Sequence, residues 1–165
     1  MSTPRSFADY LNAEKAGFDT IAHACAVYVG VQSGALTPED MYASLIYNAR
    51  SAADVDQMLY QLEGDRPYTE HAALLVLSAA WNEPAQSEAI QQAFAHAASV
   101  DDIDLHDLAI TVLYGMYLLA RSGGADLREV VYRQADGQIV TASLDTPLSS
   151  AALFEALRDQ YATPG

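Results

Sequence analysis

The sequence predicts a mainly α fold: one helical bundle of about six to seven helices, followed by a C-terminal β-hairpin and a final helix. Three observations carry that expectation. Cap-and-acid start signals recur along the chain at Ser6/Asp9, Thr37-Pro38-Glu39-Asp40 and Ser51/Asp54. Between them, apolar residues repeat at helical spacing. Only after residue 121 does the pattern turn to short β-type runs around Asp136-Gly137. With 165 residues and 51% hydrophobic side chains, the chain can bury one core and is expected to be a single domain, 1–165. Within it, residues 1–122 form an acidic helical body, 127–145 the hairpin and 149–161 the last helix.

The elements follow in order. Ser6 with Asp9 caps a first helix, which Gly17 interrupts before an apolar stretch from Phe18 to Val31 that Gly34 closes. Thr37 with a proline at the first helical position and two acids opens the next helix, carrying Met41, Leu45 and Ile46. Ser51/Asp54 starts and Gly64 stops another, with Val55, Met58, Leu59 and Leu62 at helical spacing. Thr69-Glu70 reads as a start and Asn82-Glu83-Pro84 as the following stop. Ile90, Phe94 and Ala97 mark a helix to about Ala98, and Ser99 begins the longest one. Its inner stripe is Leu105, Leu108, Val112, Leu113, Met116 and Leu119, and from Ile110 it is apolar nearly all round, as a central helix is. Gly123-Gly124 ends it. Val130-Val131-Tyr132 and Ile139-Val140 then flank Ala135-Asp136-Gly137 as a hairpin. Pro147 and Ser149-Ser150 lead into a last helix with Leu153, Phe154 and Leu157. An isolated hairpin is marginal in water, so it must lie on the helices or pair with another chain's edge strand.

Charge bounds the partners. The chain has 22 acids against 8 bases, a net charge of −14, and Lys15 is its only lysine. Residues 1–120 carry sixteen of the acids and four of the bases, so the negative field belongs to the helical body. Such a surface repels nucleic-acid phosphates and anionic lipids and attracts basic proteins. The longest apolar run, Leu108 to Ala120, falls short of the roughly 20 residues that cross a bilayer. Neither direct nucleic-acid binding nor membrane insertion is expected. Cys25 has no second cysteine to pair with, and Met1-Ser2-Thr3-Pro4-Arg5 leads no apolar leader. A reducing cytoplasmic location is the expectation.

No motif fixes a reaction. There is no G-x-S-x-G elbow, phosphate-binding glycine loop or H-E-x-x-H pair. Asp101-Asp102-Ile103-Asp104-Leu105-His106-Asp107 is the densest polar run. It lacks metal-ligand spacing, and its acids suit a helix N-terminus or a negative patch. No metal or other cofactor is expected. Cys25 reads as a buried thiol, His71 as a surface histidine at a helix start, and His96 as a cation near a helix C-terminus.

The candidate binding surface is therefore acidic and aromatic: Asp54, Asp56, Glu63 and Asp65 with Tyr47 and Tyr60, and Asp101, Asp102 and Asp104. Tyrosine supplies apolar area with a polar tip, and this chain has ten tyrosines against four phenylalanines. The leading expectation is a non-enzymatic acidic protein that engages a basic protein partner, in the manner of an immunity protein, antitoxin or inhibitor. One alternative is a small enzyme or a small-molecule- or metal-binding helical domain, with a pocket lined by Tyr28, Trp81, Tyr114 and Tyr117 and with His106 or Asp107 at its mouth. Another is a regulatory homodimer built through the hairpin edge.

Overall fold

A computed structural model describes residues 6–34, 36–81, 84–97, 104–121 and 129–143. Among these, seven helices precede a two-stranded antiparallel hairpin: α1 (Phe7–Glu14), α2 (Phe18–Gln32), α3 (Pro38–Asn48), α4 (Ala52–Gly64), α5 (Arg66–Trp81), α6 (Pro84–Ala97), α7 (Leu105–Arg121), β1 (Glu129–Arg133) and β2 (Ile139–Ser143). The mainly α class and the hairpin after the bundle are as expected. The last helix expected at 149–161 and the Gly123-Gly124 stop lie outside the described residues.

Three helices begin where the caps place them. Ser6, Thr37 and Ser51 each accept, through the side-chain oxygen, the N–H of the acid three residues on: Asp9 at 3.1 Å, Asp40 at 3.1 Å and Asp54 at 3.3 Å. Each bond satisfies one of the orphan donors of a first turn. Thr37→Ala should therefore cost about 1 kcal/mol of stability, read as a lower urea midpoint at unchanged slope. An unchanged midpoint would show that α3 does not depend on its cap. The break before α2 comes two residues earlier than Gly17, at Lys15, which closes α1 in the left-handed conformation at φ 54°.

Two boundaries differ from the sequence reading. Helix α5 starts at Arg66, not at Thr69-Glu70. Asp65 is the capping side chain, accepting the Tyr68 N–H at 3.2 Å. The Thr69 hydroxyl instead donates back to the Leu62 carbonyl at 2.5 Å, tying α5 to the end of α4. Helix α7 begins at Leu105, with Asp104 outside it; the start expected at Ser99 lies outside the described residues. Leu105 is 45% exposed and does not belong to the inner stripe. At the first helical position its side chain, which leans toward the helix N-terminus, has no preceding turn of α7 to cover.

Helix α7 is central, as its all-round apolarity predicts. Every residue from Leu108 to Tyr117 is buried, and α7 packs on α2, α3, α4 and α5. Helix α2 adds α6 on its other side. Gly115 marks a close crossing: a Cβ there would sit 2.7 Å from Val29 Cγ2 and 3.3 Å from Val76 Cγ1. Helix α1 closes one end through aromatic contacts, with Phe7 and Tyr10 at 5.0 and 5.1 Å from the Trp81 ring and both edge-on to Phe94.

The hairpin lies on the helices, β1 against α5 and β2 against α1. Its register pairs Val131 with Thr141 and Arg133 with Ile139. The turn is closed by the Gly137 N–H on the Gln134 carbonyl at 2.9 Å, with Gly137 at φ 94°, where a residue with a Cβ would be strained. Val131 and Ile139 point into the core. Both strands also have an outer rung occupied by a side chain. Ser78 Oγ accepts the Val131 N–H at 3.2 Å. Asn12 donates to the Ile139 carbonyl at 2.8 Å and accepts the Ile139 N–H at 3.0 Å, as a neighbouring strand would.

Candidate functional site

Helix α4 organises the acidic face. Val55, Met58, Leu59 and Leu62 are buried against the bundle, which turns Asp56, Tyr60 and Glu63, spaced i, i+4 and i+7, to one outer stripe. Tyr60 is 77% exposed between the two acids. At one end, the Tyr42 hydroxyl of α3 donates to Asp56 Oδ1 at 2.7 Å. At the other, Glu63 Oε1 pairs with His106 Nδ1 on the first turn of α7. Asp104 and Asp107 act on the same imidazole electrostatically. The structure thus brings Asp56, Tyr60 and Glu63 onto one outer stripe of α4, with His106 of α7 and the neighbouring Asp104 at its Glu63 end.

The other expected residues fall around it. Asp54 is exposed on the first turn of α4. Asp65, also exposed, serves as the cap of α5. Tyr47 is 88% exposed on α3. Asp101 and Asp102 lie outside the described residues. Among the described residues no group of three or more His, Cys, Asp or Glu side chains is placed to hold a metal ion, and no helix is long and apolar enough to cross a membrane.

The aromatic side chains expected to line a pocket sit in packed surroundings. Tyr28, Tyr114 and Tyr117 are buried core side chains. Tyr28 donates to Gln86 Oε1 at 2.8 Å, joining α2 to α6. Tyr114 and Tyr117 pack edge to face at 5.5 Å, and Trp81 stacks on α1. His106 is on the surface, with its imidazole turned to Glu63. Cys25 is fully enclosed, and burial pushes its thiol up to about 12, so it is no nucleophile at neutral pH.

Periodicity missed the polar centre beneath the hairpin. Glu70, 4% exposed on α5, accepts the Arg133 Nε–H through both oxygens at 3.0 and 3.2 Å. The same guanidinium donates to the Ala16 carbonyl at 2.6 Å and the Gly137 carbonyl at 2.8 Å. One side chain thereby fixes the α1–α2 junction, α5 and the hairpin turn. His71 is half-buried beside this pair, edge-on to Tyr132 at 6.3 Å, and is not a surface histidine.

The two histidines are shifted in opposite directions from the usual 6.5. The hydrogen bond to Glu63 raises His106 above the usual 6.5 against an opposing desolvation effect, with the charges of Glu63, Asp104 and Asp107 adding to the rise. Its link to α4 therefore contributes stability that is fully present below pH 6.5 and lost as pH rises through the raised value. Burial lowers His71 below 6.5, partly offset by Glu70 and Asp65. Protonating it opposes folding as pH falls from 6.5 toward that lowered value. An NMR titration should place the His106 midpoint above 6.5 and the His71 midpoint below it. Coincident midpoints would contradict these placements.

Compared with known proteins, the chain matches no family model, no curated protein and no solved structure.

Proposed function

We propose that this protein is a non-enzymatic binding protein whose acidic helical face engages a basic protein partner. The observation that carries the reading is the outer stripe of α4: Tyr60, largely in solvent, set between Asp56 and Glu63 and continued by Asp104. A bare acidic face needs no aromatic side chain in water. An exposed tyrosine between carboxylates offers apolar contact area where a lysine- or arginine-rich surface is held in register. The net charge of −14 extends that attraction beyond contact range, which speeds encounter and orients the partner. Occlusion of the partner's basic surface is the proposed consequence, the mode of action of an immunity protein, antitoxin or inhibitor. The reducing cytoplasm is the proposed setting.

The test is affinity capture from the source cell's lysate at low salt, with the wild-type protein and an Asp56→Lys/Tyr60→Ala/Glu63→Lys variant run side by side. The expected result is a basic protein held by the wild type, released at a defined salt step and absent from the variant. With the purified partner, Asp56→Lys/Glu63→Lys should slow association on the order of tenfold or more at low salt and flatten its salt dependence. A partner held equally by wild type and variant, or indifferent to salt, would contradict the assignment of this face.

A further inference from the structure

A cleft of about 300 Å³ opens between the end of α1, the α1–α2 junction and the hairpin turn. Its lining holds two cations, Lys15 and Arg133, and no carboxylate. In a chain of 22 acids and 8 bases, a cleft lined without regard to charge would show the reverse balance. The fold explains how the cations meet. Lys15 closes α1 in the left-handed conformation, a place more often held by glycine or asparagine. Its N–H and that of Ala16 bond back to the Asn12 and Leu11 carbonyls, each at 3.2 Å. The Arg133 guanidinium spans from there to the hairpin turn, donating through Nη2 to Ala16 and through Nη1 to Gly137. Both of those residues line the cleft, whereas Glu70, the acceptor of the Nε–H, does not.

We propose that this cleft binds a small organic anion carrying a single carboxylate. A guanidinium has five N–H groups. Those of Arg133 that are engaged are the Nε–H and one on each Nη, which leaves one on each Nη without an acceptor among the described residues. The Lys15 ammonium has no ion-pair partner among the described residues. Glu14 and Asp19, its neighbours in sequence, are exposed and do not line the cleft. Charge-assisted donors of both kinds suit carboxylate oxygens. Glu70 already offsets the charge of Arg133, so the uncompensated charge at the cleft is that of Lys15 alone, matched by one carboxylate. The net charge of −14 weighs more heavily against multiply charged anions, and the volume lies at the small end of ligand sites. The cleft shares no residue with the acidic stripe, so it stands or falls apart from the proposed partner.

The test is a ¹⁵N NMR titration of the intact chain at low salt, with sodium propionate as the probe and propionamide as its uncharged counterpart. Propionate should give saturable shifts at the amides of Lys15, Ala16, Gly17 and Gly137, with Kd on the order of 10 mM. Propionamide should bind about tenfold more weakly or not at all, and sodium chloride at the same ionic strength should not reproduce the shifts. Lys15→Gln, at an exposed position, should keep the spectrum of the folded protein and weaken propionate binding about fivefold or more. Lys15→Arg, which keeps the charge, should restore it. Absence of saturable shifts with propionate, shifts confined to other parts of the molecule, an equal response to propionamide or chloride, or undiminished binding by Lys15→Gln would each overturn the proposal.

Discussion

Arg133→Ala should destabilise the protein by about 3 kcal/mol or more, toward the upper end for any single exposed-loop or strand-edge substitution here. The substitution leaves the Glu70 carboxylate, 5% exposed at its side chain, without the cation that compensates it. It also removes the guanidinium from the part-buried Ala16 carbonyl, while the exposed Gly137 carbonyl turns to water. Removing the acid instead costs less. In Glu70→Ala the arginine keeps both carbonyl acceptors and, at 28% side-chain exposure, some access to water. The expected order in urea unfolding is therefore Arg133→Ala below Glu70→Ala below wild type. A double replacement, Arg133→Met with Glu70→Leu, should recover part of the loss, because a buried pair of this kind is often matched by apolar packing. An Arg133→Ala protein within 1 kcal/mol of wild type would mean that the hairpin is not anchored through this pair.

The second large effect is expected at the crossing of α2, α5 and α7. Gly115→Ala gains about 1 kcal/mol of helix propensity, so a substitution at an uncrowded site would stabilise. Here the new methyl meets Val29 Cγ2 at 2.7 Å and Val76 Cγ1 at 3.3 Å. Valine in a helix is nearly confined to one χ1 rotamer, so neither neighbour can swing away. Overpacking of this kind costs about 1–3 kcal/mol, and the clash should win, leaving a net loss of up to about 2 kcal/mol. Gly115→Leu should prevent folding. The diagnostic is a double-mutant cycle with Val29→Ala: removing the obstructing methyl should make Gly115→Ala less costly by at least about 0.5 kcal/mol. Strict additivity would place the strain elsewhere.

These two sites also mark where sequence reading succeeds and where it stops. Ser6, Thr37 and Ser51 announce helices because an N-cap is a local device, complete within four residues. Helix α7 announces its central place because apolarity on every face has no other use in a bundle. Thr69 misleads because a hydroxyl can cap a helix or donate back to a carbonyl, and the choice depends on α4, which the local pattern does not contain. Leu105 misleads because periodicity assigns a face without knowing that the helix begins there. The Glu70–Arg133 pair joins residues 63 apart, and Asn12 reaches Ile139 across 127. No spacing rule spans such distances. Tyrosines at helical spacing do not by themselves announce a pocket, because they fill a core as readily as they line a cavity. The acidic stripe was legible residue by residue, but the step from Glu63 to Asp104 depends on α4 and α7 packing side by side.

The central claim, that the outer face of α4 and the start of α7 form the partner surface, is tested most directly by hydrogen exchange on the captured complex. Asp56, Tyr60, Glu63 and Asp104 define the region to watch. Exchange in α4 and in the first turn of α7 should slow when the basic partner is bound, with the hairpin and α6 unaffected. Protection that falls on the hairpin and leaves α4 unchanged would contradict the account.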